Sequence, residues 1–166
     1  MNNTYKTMLT ILLMGLVFLQ TNASHLGSEL LVTAKLTGKQ EVPPVSTDAV
    51  GLASFTINEA RDSVNFNIVV NGLSGEITGA HIHEAQAGAN GGVVFNLTTY
   101  IKGNQMKGSI PSSNVTKAFI SGLLSSNYYV NIHTKDNPAG EIRGQLNLES
   151  DMGFYASLDT AQQNHK

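Results

Sequence analysis

The stretch Val64-Asn65-Phe66-Asn67-Ile68-Val69-Val70-Asn71-Gly72 decides the fold class. Val64, Phe66, Ile68 and Val70 fall on one face, with Asn65, Asn67 and Asn71 opposite, and Asn71-Gly72 is a turn signal. Period-two alternation closed by a turn dipeptide is the mark of a half-buried β-strand. The same pattern recurs on both sides. Upstream lie Leu30 to Thr37 and the run Gly51, Ala53, Phe55, Ile57. Downstream lie Glu76 to His83, Val93 to Leu97, Gln105 to Ile110, Tyr128 to His133 and Ile142 to Leu148. Turn residues punctuate them at Pro43-Pro44, Gly88 to Gly92, Lys102-Gly103-Asn104 and Pro138 to Gly140. Ser113 to Leu123 departs from the pattern: Val115, Ala118, Phe119 and Leu123 are spaced for a helix, weakened near its end by Gly122. The expectation is an all-β chain, an antiparallel Greek-key β-sandwich or barrel of about eight strands with one short helix.

Composition fits that reading. Of 166 residues, 41% are hydrophobic and only 13% charged, about half the usual ~25%. The polar surface is therefore built from Asn, Ser, Thr and Gly, as in turn-rich sheet proteins. A net charge of -2 and the absence of any Lys/Arg run argue against nucleic acid as a partner. With no Cys, disulfides, thiolate zinc sites and cysteine catalysis are excluded.

The N-terminus reads as a signal peptide. Lys6 gives a positive start, Met8 to Leu19 is an apolar run, and Thr21-Asn22-Ala23 ends on a small residue. Residues 1–23 are thus expected to be removed, which lowers the net charge from -2 to -3 and leaves no membrane span. The mature chain is expected to be secreted, periplasmic or at the cell surface. It divides into a β-domain over 26–148 and a tail over 149–166. Within the tail, Phe154 to Gln163 echoes Val32 to Glu41 with Ala, Leu and Gln at a constant offset, as if a second repeat began there or by coincidence.

Chemistry concentrates in two stretches, Gly79-Ala80-His81-Ile82-His83-Glu84 and Tyr128-Tyr129-Val130-Asn131-Ile132-His133-Thr134. Strand parity sends His81 and His83 to one side and Ala80 and Ile82 to the other. The same rule sets His133 opposite Val130 and Ile132, and Arg143 opposite Ile142. Three imidazoles leaving the core from two strands suit copper or, less well, zinc. Solvated surface histidines are the alternative. Arg143 and Glu141 are candidates for a supporting shell around the metal, or for a simple cross-strand ion pair. Glu41 and Glu84 are candidate acids with no visible partner. His25 and His165 are bystanders near the chain ends. The Gly88–Gly92 loop lacks the Lys-Ser/Thr and the helix of a phosphate cradle, and there is no nucleophile-elbow sequence.

Four motifs together resemble the CHRD domain family, named for the developmental protein chordin. They are Gln40-Glu41-Val42-Pro43-Pro44, Ala80-His81-Ile82-His83, Tyr129-Val130-Asn131-Ile132-His133-Thr134 and Gly140-Glu141-Ile142-Arg143-Gly144. The resemblance runs from about Leu30 to Leu148. It implies a secreted binding module, with an extracellular protein or polymer as partner. More distantly, the order of His-x-His, a late Val-x-Ile-His and a Gly-x-x-Arg stretch is similar to copper-zinc superoxide dismutases. That likeness implies His81, His83 and His133 as copper ligands and Arg143 as an anion guide. The bridging histidine, the zinc ligands and the cysteines of those enzymes have no counterpart here. Three functions remain open: a metal-free binding or structural module, a copper-binding module, and a dismutase-like copper oxidoreductase.

Overall fold

The computed structural model describes residues 29–149. The expected signal peptide over 1–23, His25, His165 and the tail beyond 149 lie outside the described residues. Ten strands form one curled antiparallel sheet: β1 (Leu30–Thr37), β2 (Val50–Ile57), β3 (Val64–Asn71), β4 (Ile77–Glu84), β5 (Gly92–Asn96), β6 (Ile101–Lys102), β7 (Gln105–Ser109), β8 (Tyr128–Thr134), β9 (Ile142–Gln145) and β10 (Asn147–Leu148). Their spatial order is β5-β4-β8-β9-β1-β2-β3-β7-β6, with β10 also paired to β1. β1, β2 and β3 form consecutive hairpin neighbours, while β4 lies on the far side of β1 and pairs with β8, so the chain crosses over between β3 and β4.

The all-β class and the antiparallel order follow the sequence pattern. The strand count exceeds the expected eight for two local reasons. The last expected strand splits at Leu146, whose N–H turns to the Tyr128 carbonyl. The expected turn at Lys102-Gly103-Asn104 is flanked by a two-residue strand that pairs Ile101 with Met106.

Alternation places one face of each strand in a shared core. In β3 Val64, Phe66, Ile68 and Val70 are buried, and in β2 Ala53, Phe55 and Ile57 meet them. Phe66 lies 5.9 Å from Phe55 and meets Tyr100 edge-on at 5.0 Å. Ala80, Ile82, Val130, Ile132 and Ile142 from the other half of the sheet belong to the same cluster. The sheet therefore curls until its two halves enclose one interior. Each large apolar side chain buried there contributes about 1.5–3 kcal/mol.

The helix α1 (Lys117–Leu124) is shorter than expected and closes one end of the core. Thr116 caps it by accepting the Phe119 N–H at 3.1 Å, and a 3-10 turn over Ser112–Asn114 takes up the preceding residues. Phe119, Ile120 and Leu123 are buried, whereas Ala118, expected on the inner face, is exposed. Gly122 sits where a Cβ would approach the Tyr128 ring to 2.2 Å, so its place inside the helix reflects close packing.

β8 breaks the one-face rule. Tyr129 and Asn131 point away from the core yet are 2% and 4% exposed. The loop between β4 and β5 folds across that face and is tied down by polar contacts. Gln145 Nε2 donates to the Ala85 carbonyl, Arg143 to those of Gln86 and Ala89, and Asn90 Nδ2 to that of Val42. The Gly-rich segment is thus a cover over the outer face of the sheet.

Candidate metal centre

Three histidines meet on that outer face. Register pairs Gly79 with His133, His81 with Asn131 and His83 with Tyr129. His81 and His83 stand two residues apart on β4, and His133 leans across from β8. Gly79 makes this possible: a Cβ there would lie 3.2 Å from His81 Cε1 and 3.4 Å from His133 Cδ2. One ligand nitrogen from each of the three rings lies within 4.8 Å of the other two. His81 Nδ1 and His133 Nε2 are 3.0 Å apart. The parity argument therefore placed the three side chains correctly, and the β4–β8 pairing, invisible to parity, brings them together.

The backbone fixes two of the rings. His83 Nδ1 faces the Gly91 carbonyl at 3.0 Å, and His133 Nδ1 faces the Pro138 carbonyl at 2.9 Å. A carbonyl only accepts, so each Nδ1 carries the proton and each Nε2 presents a lone pair. His83 Nε2 is buried and has no hydrogen-bond partner. Burial lowers the pKa of His81, and the neighbouring His133 and His83 lower it further. Burial also lowers that of His133, against the raising effect of its bond to Pro138. The imidazoles of His81 and His133 therefore stay neutral to lower pH than an ordinary histidine, and the neutral ring is the form that binds metals.

The other expected site residues take different positions. Arg143 lies in the same cross-strand row as His81 and Asn131, but it is 1% exposed. Its guanidinium donates to the Ala89 carbonyl at 2.7 Å, the Gln86 carbonyl at 3.3 Å and Asn90 Oδ1 at 3.2 Å. Its Cζ stacks 3.3 Å from the centre of the Tyr129 ring, which also lies parallel to His83 at 4.9 Å. Since β4 and β9 flank β8, Tyr129 is held between a histidine of the cluster and the arginine. Glu141 does not join the cluster. Its carboxylate accepts from Thr47, Ser74 and Thr134 behind the strand. Glu84 is exposed at the end of β4.

Sequence reasoning missed Tyr129 and Asn131. Both share the parity of His133 and so were readable as its neighbours on the outer face. What hid them was the covering loop, whose docking leaves no periodic signal.

Residues 32–146 match the CHRD domain family. The chain belongs to that family. A curated relative of this CHRD domain is Chordin of Danio rerio, 31% identical over 120 residues, which cover 68% of the chain but 12% of Chordin. The chain thus spans a small part of that relative's length. No solved structure matches this CHRD domain. All four motifs quoted from the sequence fall within the matched region, and three of them supply the histidines, Asn131 and Arg143 of the outer face.

Proposed function

We propose that this CHRD domain is an extracellular, periplasmic or cell-surface module that binds a copper ion through His81, His83 and His133. The observation that carries the reading is the convergence of three ligand nitrogens within 4.8 Å, with His83 Nε2 buried and unpartnered. Metal-binding histidines typically hand their second nitrogen to a carbonyl or carboxylate, as His83 and His133 do here. His81 Nδ1 and His133 Nε2 share a hydrogen bond at 3.0 Å, so an ion that takes both nitrogens displaces the proton between them. An all-imidazole set favours copper over zinc in intrinsic affinity. A dismutase-like role has less support, because Arg143 is covered and spends its donors on loop oxygens.

Calorimetric titration of the purified protein with copper(II) and zinc(II) tests the proposal. The expected result is one tight copper per chain, weaker zinc, and a copper-induced rise in melting temperature. At a free copper concentration 100 times Kd the stabilisation is about 2.7 kcal/mol. His81→Ala/His83→Ala and His133→Ala abolish both effects. Equal copper binding by wild type and these variants sinks the reading.

A further inference from the structure

The covered half of the sheet has a bare counterpart. On the outer face of β1, β2 and β3, Leu52 is 68% exposed and Val50 and Val69 are each 45% exposed. Register sets Lys35, Leu52 and Val69 side by side in one cross-strand row. A groove of about 510 Å³ follows one flank of that row, past Thr33, Ser54 and Asn67. A second groove, of about 380 Å³, follows the other flank, past Val50 and Asn71. Single exposed apolar side chains need no explanation, but an apolar strip inside a polar rim marks a docking surface.

Charge argues against a second copy laid face to face. Lys35 is the only charged residue among the outward positions of these three strands, and the exposed Lys107 pairs with Asn67 from β7. Two such faces would set cations against cations. The chain itself supplies a better occupant. Glu149 is tied to β1 beside this face: its N–H donates to the Leu31 carbonyl, and its carboxylate accepts from Thr33 Oγ1. Thr33 lines the first groove. The sequence continues Ser150-Asp151-Met152-Gly153-Phe154-Tyr155-Ala156-Ser157-Leu158-Asp159. β10 runs antiparallel to β1, so the chain leaves toward the start of β1 and must double back to reach Leu52. Ser150, Asp151 and Gly153 are turn formers placed for that reversal.

Beyond the turn, Phe154, Ala156 and Leu158 alternate like a strand with one face to bury. They stand at a constant offset from Val32, Ala34 and Leu36, the core-facing residues of β1. Four extended residues span about 13 Å, so a segment that passes Leu31 at Phe154 reaches the level of Lys35 and Leu52 at Leu158. Residues 150–165 carry Asp151 and Asp159 and no Lys or Arg, which suits a face whose charges are lysines. We propose that residues 150–159 fold back over the outer face of β1, β2 and β3 of their own chain, with Phe154 and Leu158 seated on Leu31, Leu52 and Val69. The face is then an internal docking surface, closed to other proteins while the tail is seated. It lies apart from the histidines, which stand on β4 and β8.

Cross-linking between introduced cysteines tests this, because the chain has none of its own. The purified full chain carries Leu158→Cys with either Leu52→Cys or Ser121→Cys and is treated with bismaleimidoethane. Ser121 is exposed on α1, which packs beside β10, so an unseated tail meets it as readily as it meets Leu52. The expected result is an intramolecular bridge to position 52 that forms about tenfold or more faster than one to position 121, read by mass spectrometry of the digested monomer. Val69→Cys serves as a second anchor, since Leu52→Cys trims the apolar strip itself. Phe154→Asp and Lys35→Glu each slow the bridge severalfold, the first by removing apolar contact and the second by reversing the charge. Equal rates at the face and at position 121, or a bridge indifferent to Phe154→Asp, would overturn the proposal. Bridged dimers in place of bridged monomers at micromolar protein would overturn it too, because they seat the tail on a second copy.

Discussion

Glu41 and Glu141 are both buried, at 6% and 0% exposure, and they are opposites in every other respect. The Glu141 carboxylate accepts from Thr47 Oγ1 at 2.9 Å, from the Ser74 N–H and Oγ at 2.8 Å each, and from Thr134 Oγ1 at 2.6 Å. Burial alone would raise its pKa, but these bonds together outweigh it and hold the carboxyl below the ordinary range. Glu41 has an orphaned oxygen and a pKa raised to about 7 by burial. The first carboxylate joins the loops around Thr47 and Ser74 to the end of β8 and stabilises the fold. The second is carried at a cost to the fold.

The sharpest way to break the comparison is Glu141→Ala. Four hydrogen bonds vanish and at least the Ser74 N–H and Thr134 hydroxyl lose their acceptor inside the structure. Each orphaned donor costs ~1–3 kcal/mol, so the expected loss is roughly 3–5 kcal/mol. Urea unfolding should show a lower midpoint at an unchanged slope. A loss below ~1 kcal/mol would mean that Glu141 is not the clamp its contacts describe.

Glu41→Gln tests the other side, with a smaller effect of opposite sign. The folded-state pKa is raised, so the folded protein binds the proton more tightly than the unfolded chain between the ordinary value of 4.5 and about 7. The Glu41 contribution to stability therefore falls as pH rises through that window, and the penalty is complete above it. Glu41→Gln removes the penalty. It should be more stable than wild type by about 1–3 kcal/mol at pH 8, with the gap closing near pH 4. A destabilised variant at pH 8 would make Glu41 a structural group like Glu141.

The two glutamates also mark how far the sequence could be read. The strands were legible because each has to bury one face: Val64, Phe66, Ile68 and Val70 announce β3 without help from the rest of the chain. The directions of His81, His83 and His133 followed from the same parity. That they meet depends on β4 pairing with β8, a contact between segments far apart in sequence. Loop docking was beyond reach. Arg143 looked like a surface cation because its strand neighbour Ile142 is core. Its burial depends on carbonyls of Gln86 and Ala89, and a backbone carbonyl carries no side-chain signature. The same blindness placed Glu141 near the metal, since Thr47, Ser74 and Thr134 meet it only after the chain has crossed over.

The finest test of the comparison is Thr47→Val, which removes one donor from Glu141 and keeps the side-chain shape. Thr47 Oγ1 also accepts the Ala49 N–H at 3.2 Å, so the substitution loosens one loop at two points. The direct cost is about 1 kcal/mol. The pH dependence is more telling. Because the folded-state pKa of Glu141 is depressed, its contribution is present above the unfolded value and lost as pH falls through the folded one. Losing one of four donors brings the two values closer. The acid-unfolding midpoint should then rise in Thr47→Val, while stability between pH 7 and 8, above the Glu41 window, should shift uniformly. An acid midpoint that stays put would show that the Thr134 and Ser74 bonds alone hold the Glu141 proton off, and that Thr47 contributes packing only.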